Sequence, residues 1–205
     1  MSQSDGIRSE EPRGLLHLLS DLDPAMDDVF AAWCDVHHRE NLAIPGVLRA
    51  RRYRRADDQP GVGRLLTMYD LADVTVLDTP AFVGHTAHGT PMPAGIGASL
   101  SFERTIATLA GELGDTSGTE LLVRSLVTDV GSTPDQLTGT VLEAVGSLVA
   151  SGTVLGARAF TSIDEERPGV IVLMECHPDG ADGPPGDWSL AATVAYRLVF
   201  DERSG

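Results

Sequence analysis

The chain has 205 residues, 42% of them hydrophobic, with a formal net charge of -15, enough for one large domain or two small ones with a proper core. An acidic background of that size repels phosphates and argues against a nucleic-acid partner. No apolar run reaches membrane-spanning length, and the start MSQSDGIRSEEPRG lacks an apolar signal core, so a cytoplasmic protein without membrane contact is expected.

All fifteen basic residues are arginine. Without lysine, Schiff-base chemistry, lysine-bound pyridoxal phosphate and a P-loop are excluded. Cys34 and Cys176 stand far apart, with neither a metal spacing nor a disulfide framework, and read as reduced core thiols.

Residues 1–13 read as a polar tail. Gly14 to Ser20 has a strand pattern, and Asp23-Pro24 then forms a helix cap with proline in the first turn. Met26, Val29, Phe30, Trp33 and His37 recur at three- and four-residue spacing, which predicts an amphipathic helix with His37 near its C-terminal end. After Pro45-Gly46, Val47 to Arg55 and Arg64 to Leu71 alternate as strands around a turn over Asp57 to Gly63. Asp78-Thr79-Pro80 opens another helix, and a Gly/Pro-rich stretch leads to a strand near Ser99 to Thr105. Further on, Leu121 to Thr128 is a strand, and Ser132-Thr133-Pro134-Asp135 caps a helix with Leu137, Val141, Val145 and Leu148 on one face.

The order of elements in the two halves is the same. At an offset of 107, Val47, Leu48, Ala50, Arg51 and Tyr53 meet Val154, Leu155, Ala157, Arg158 and Phe160, and Pro60-Gly61-Val62 returns as Pro168-Gly169-Val170. This reads as a tandem duplication of a β-α-β-β unit, with ferredoxin-like repeats over 14–114 and 119–205. Each antiparallel sheet needs its bare face covered. The expected product is an α+β chain whose two sheets face each other in an α/β barrel, with a ligand cavity between them.

Trp33-x3-His37, seven residues, Pro45-Gly46 and a strand ending in an aromatic resemble the signature of EthD-like members of the dimeric α/β-barrel superfamily, over about residues 14 to 110. Relatives that place the histidine five positions after the tryptophan would select His38, and Cys34 stands where many have tyrosine. The resemblance implies a range of activities: polyketide cyclases, cofactor-independent monooxygenases, lactone isomerases, haem enzymes and proteins without known activity. Fold alone does not choose among them.

Strand alternation puts Val47, Arg49, Arg51, Tyr53 and Arg55 on one face. Assigned to the barrel side, Arg49, Arg51 and Tyr53 would hold an anionic or enolate-like substrate; the alternative is that the arginines pair with surplus carboxylates. His37, on an apolar helix face, is the candidate base, Tyr53 the proton donor and Arg51 the electrostatic partner. His38 is expected to be exposed. Trp33, Tyr69, His85 and His88 are candidate substrate contacts. His37, His85 and His88 could form a metal triad, but no carboxylate or cysteine is placed with them in the sequence, so neither metal nor haem nor another cofactor is expected. The leading expectation is a cofactor-independent, polyketide cyclase-like enzyme of secondary metabolism acting on a hydrophobic substrate with an acidic or enolisable group. A binding protein for such a metabolite and a cofactor-independent monooxygenase are the alternatives, and a homodimer stays open.

Overall fold

The computed structural model describes residues 11–57, 63–128, 133–177 and 193–204; residues 1–10 of the expected tail, Pro60-Gly61-Val62 and Ser132 lie outside them. Among the described residues eight strands form: β1 (Gly14–Asp21), β2 (Val47–Arg55), β3 (Leu65–Leu71), β4 (Ser101–Gly114), β5 (Glu120–Val127), β6 (Gly156–Ser162), β7 (Gly169–Cys176) and β8 (Thr193–Arg203). They close a barrel in the order β1-β3-β2-β8-β5-β7-β6-β4, every pairing antiparallel. The first half thus runs β4-β1-β3-β2 and the second β8-β5-β7-β6. β2 against β8 and β4 against β6 join them.

Helices pack on the outside of this barrel. α1 (Asp27–Leu42) links β1 to β2, α2 (Pro80–His88) and α3 (Ala94–Ser99) lie between β3 and β4, and α4 (Pro134–Ala150) links β5 to β6. Their starts follow local chemistry. Thr79 accepts from Phe82 N ahead of Pro80, and Thr133 and Gln136 form a reciprocal capping box around Pro134, each cap worth about 1 kcal/mol. None of the described helices is long and apolar enough to cross a membrane.

The interior of the barrel is filled, which corrects the expected cavity between two sheets. Leu15, Leu66, Met68, Leu121, Phe160 and Leu173 pack there with Tyr53 and Tyr196. An eight-stranded barrel is just wide enough for side chains to fill. Strand alternation did place Arg51 and Tyr53 on this inner side, but they meet protein. Arg51 donates from Nη2 to both carboxylate oxygens of Asp70 (3.2 and 3.0 Å) and from Nη1 to Glu175 Oε1 (2.9 Å) and the Tyr53 hydroxyl (3.1 Å). Arg158 donates to Asp70 Oδ1 at 2.9 Å. Two guanidiniums and two carboxylates therefore neutralise one another inside the barrel. Burial would raise Asp70, but Arg51 and Arg158 outweigh it and hold the carboxyl at about 2. For Glu175 burial prevails over the same two arginines and its pKa is raised.

The other arginines of β2 pair as well. Arg49 makes a bidentate contact with Asp201 (2.7 and 2.7 Å), Arg52 bonds Asp35, Arg54 bonds Asp27 and Arg55 bonds Asp57. The basic strand of an acidic chain is an ion-pairing strand, and Arg49 faces a carboxylate of β8.

His17 shares the inner face of β1 with Leu15 and Leu19, is 2% exposed, and has no partner for Nε2. Burial pushes its pKa down to about 4, so the native ring is neutral. An unfolded histidine titrates near 6.5. Between those values the unfolded chain binds more protons, so His17's contribution is complete above pH about 6.5 and falls as pH drops toward 4, by roughly 3 kcal/mol in all. Urea denaturation of wild type and His17→Met across pH 4 to 7.5 should show the variant losing less stability on acidification. Parallel losses would mean that His17 is hydrated in the native barrel.

Candidate active site

The pocket opens on the opposite, outer face of the sheet, beneath α1 and α2. It is a cavity of about 570 Å³, in the size range of small-molecule sites. Outward-facing residues of β1 and β3, Leu16, Leu18, Ser20, Thr67 and Tyr69, make its floor. Phe30, Trp33, Cys34, His37 and His38 of α1 and Phe82, Val83 and His85 of α2 make its walls, while Phe102 and exposed Arg104 of β4 stand at one side.

Of the residues expected from sequence, Trp33, His37, Tyr69 and His85 are brought together here. Arg51 and Tyr53 are not: they are 1% and 0% exposed inside the barrel, on the far side of the sheet. Burial also lifts the Tyr53 phenol to about 12, against the pull of Arg51, which makes it a poor proton donor at neutral pH. Arg49 is held by Asp201, and His88 is exposed and does not line the pocket.

His38, expected at the surface, is 1% exposed. Its Nδ1 lies 2.6 Å from the Tyr69 hydroxyl, which also accepts from Asn41 Nδ2 at 3.0 Å. Burial, helped by Arg52 and His37, lowers the His38 pKa to about 3. The neutral ring carries one proton, and the direction of the Nδ1–Tyr69 hydrogen bond is set by the tautomer. These groups lock α1 to β3. Cys34, packed beside them, has its thiol pushed up to about 11 by burial; it is no nucleophile at neutral pH.

One wall is a row of flat rings. Trp33 and His37 stack with centroids 4.6 Å apart and planes 14° apart, and His37 and His85 follow at 5.2 Å and 28°. Burial first, then His85, lowers the His37 pKa against the opposing pull of Glu40. The Nδ1 of His37 and Nε2 of His85 have no hydrogen-bond partner. Thr90 braces the row: its carbonyl accepts from Trp33 Nε1 at 3.1 Å, and its backbone N–H and hydroxyl donate to Glu40 at 3.1 and 2.5 Å. Glu40 therefore supplies the carboxylate that the sequence did not place with the histidines, which removes the ground for excluding a metal. Sequence reasoning also missed Arg104, whose signal was the alternation Phe102-x-Arg104-x-Ile106 on β4.

No family model and no curated protein matches the chain. Solved structures do. An anthrone oxidase-like protein aligns over 97% of this chain and 96% of its own with a TM-score of 0.71 at 14% identity. Candidate monooxygenases from Lactobacillus acidophilus (TM-score 0.55, 8% identity, 95% and 98% of the two chains) and Fusobacterium nucleatum (0.53, 9%, 95% and 96%) share the architecture. At these identities the likeness is one of fold alone, an eight-stranded antiparallel barrel.

Proposed function

We propose that the chain is an oxygenase that acts on a planar, enolisable aromatic compound held in the pocket under α1 and α2. The observation that carries this reading is the stacked row Trp33–His37–His85 along a mostly apolar cavity, since flat rings offer a flat ligand offset stacking. His37 acts as the base. Removal of a proton from a ring methylene gives an electron-rich enolate, which reduces dioxygen; one oxygen atom stays on the carbon as a carbonyl and the other leaves as water. Arg104 stands where it would attract the enolate oxygen. Structural neighbours of anthrone oxidase and monooxygenase type support the same reaction class. The cyclase reading uses the same base and enolate and needs no dioxygen.

We also propose that the barrel is a tandem duplication of ferredoxin-like units, an EthD-like one over 14–114 and a divergent one over 119–205. The matching strand order of the halves and the meeting of Arg51 with Arg158 at Asp70 support it.

The functional test is dioxygen uptake with a reduced tricyclic phenol such as an anthrone, alongside quenching of tryptophan fluorescence. Saturable uptake with one ketone formed per dioxygen is expected. Conversion that proceeds equally without dioxygen would select the cyclase reading. Binding without turnover would leave a binding protein.

Filling the floor should weaken binding without disturbing the barrel. Thr67→Trp projects into the cavity between Tyr69 and Leu18, and affinity for the same phenol should fall by roughly tenfold or more. Unchanged affinity in the folded variant would place the ligand elsewhere.

A further inference from the structure

We propose that His37, Glu40 and His85 bind a divalent first-row transition ion at the wall of the pocket, an assignment that rests on the enzymatic reading above and deepens it. Ligand atoms of the three side chains lie within 4.8 Å of one another. His37 and Glu40 stand three residues apart on one side of α1, and His85 comes from α2. The buried Nδ1 of His37 and Nε2 of His85 make no hydrogen bond, the latter standing 3.9 Å from Glu40 Oε2, whereas folded proteins hydrogen-bond nearly all such atoms. A cation among the three would engage both histidines. Two imidazoles with one carboxylate suit zinc, iron(II) or their first-row neighbours, while calcium and magnesium select oxygen ligands.

The surroundings fit that role. Both oxygens of Glu40 accept from Thr90, the kind of outer contact that orients a coordinating carboxylate. Trp33 stacks on His37 and binds the Thr90 carbonyl. Gly89 leaves room for the His85 ring: a Cβ there would stand 2.5 Å from its Cε1 and 2.9 Å from its Nδ1. Because His37 and His85 line the cavity, the remaining coordination positions face the ligand. An enolate or phenolate oxygen bound there would be held in its ionised form. With the ion bound His37 is a ligand; without it His37 is the free base.

The test uses tag-free protein stripped with a chelator, titrated with zinc(II) alone by calorimetry and with cobalt(II) by visible absorption. One ion per chain is expected. Affinity should fall by roughly a hundredfold or more in His85→Ala and in Glu40→Gln, by about tenfold in Thr90→Val, and stay unchanged in His88→Ala. Circular dichroism establishes folding, and if His85→Ala does not fold, Glu40→Gln carries the comparison. Absence of a stoichiometric ion in wild type, or equal affinity in wild type, His85→Ala and Glu40→Gln, overturns the metal site and leaves the acid–base reading standing. An ion bound as described, with no dioxygen uptake by stripped or loaded protein, supports the site and sinks the oxygenase reading.

Discussion

Asp70→Ala should destabilise the folded chain by roughly 3 to 5 kcal/mol, a large share of the 5 to 15 kcal/mol that holds a typical domain together. Asp70 is 3% exposed and accepts from both Arg51 and Arg158. Without it two buried guanidiniums share Glu175 alone, and Nε of each arginine already lacks a partner. Replacing Arg51, Asp70, Arg158 and Glu175 together by apolar residues of matched volume should cost far less, because no uncompensated charge remains. The midpoint of urea denaturation at constant slope measures both. A loss below about 1 kcal/mol for Asp70→Ala would show that water reaches the cluster.

His37→Ala should lower turnover by about a hundredfold or more if the imidazole is the base, while Tyr53→Phe should leave turnover nearly unchanged. The difference follows from the two faces of one sheet: His37 looks into the pocket, and the Tyr53 hydroxyl accepts from Arg51 inside the barrel. Tyr53→Phe should instead cost about 1 kcal/mol of stability through the lost hydrogen bond. Turnover and thermal unfolding measured on the same preparations separate the effects. Full turnover by folded His37→Ala would remove the base, and a large loss in stable Tyr53→Phe would return chemistry to the barrel interior.

Much of the framework was legible because strand alternation and helix caps are local. The bounds of β2, the inward direction of Arg51 and Tyr53, and the caps at Thr79 and Thr133 follow from neighbouring residues. Whether an inward face lines a cavity or a core is not local; it depends on how many strands close the ring and how their side chains meet. The face of α1 was read one step off for a related reason. Its buried residues include Phe30, Cys34, His38 and Asn41, while Val29 is 44% exposed. Apolarity assigns His38 and Asn41 to solvent, and only Tyr69, arriving from β3, makes their burial tolerable. Glu40 was within reach, since it follows His37 by three residues on a helix already expected. His85 joins it only through the packing of α2 on α1.

The position of β8 between β2 and β5 has a kinetic consequence. Arg49 pairs with Arg203 across most of the chain, so this contact carries a large loop-closure entropy and forms late. During synthesis β2 has no partner on that side until β8 leaves the ribosome, and its open backbone edge is then a template for pairing with other chains. Arg49, whose partner Asp201 arrives only with β8, leaves a positive charge on that edge, and like charges would meet across the edges of two nascent copies. Closure of the ring is thereby postponed until β8 has been synthesised.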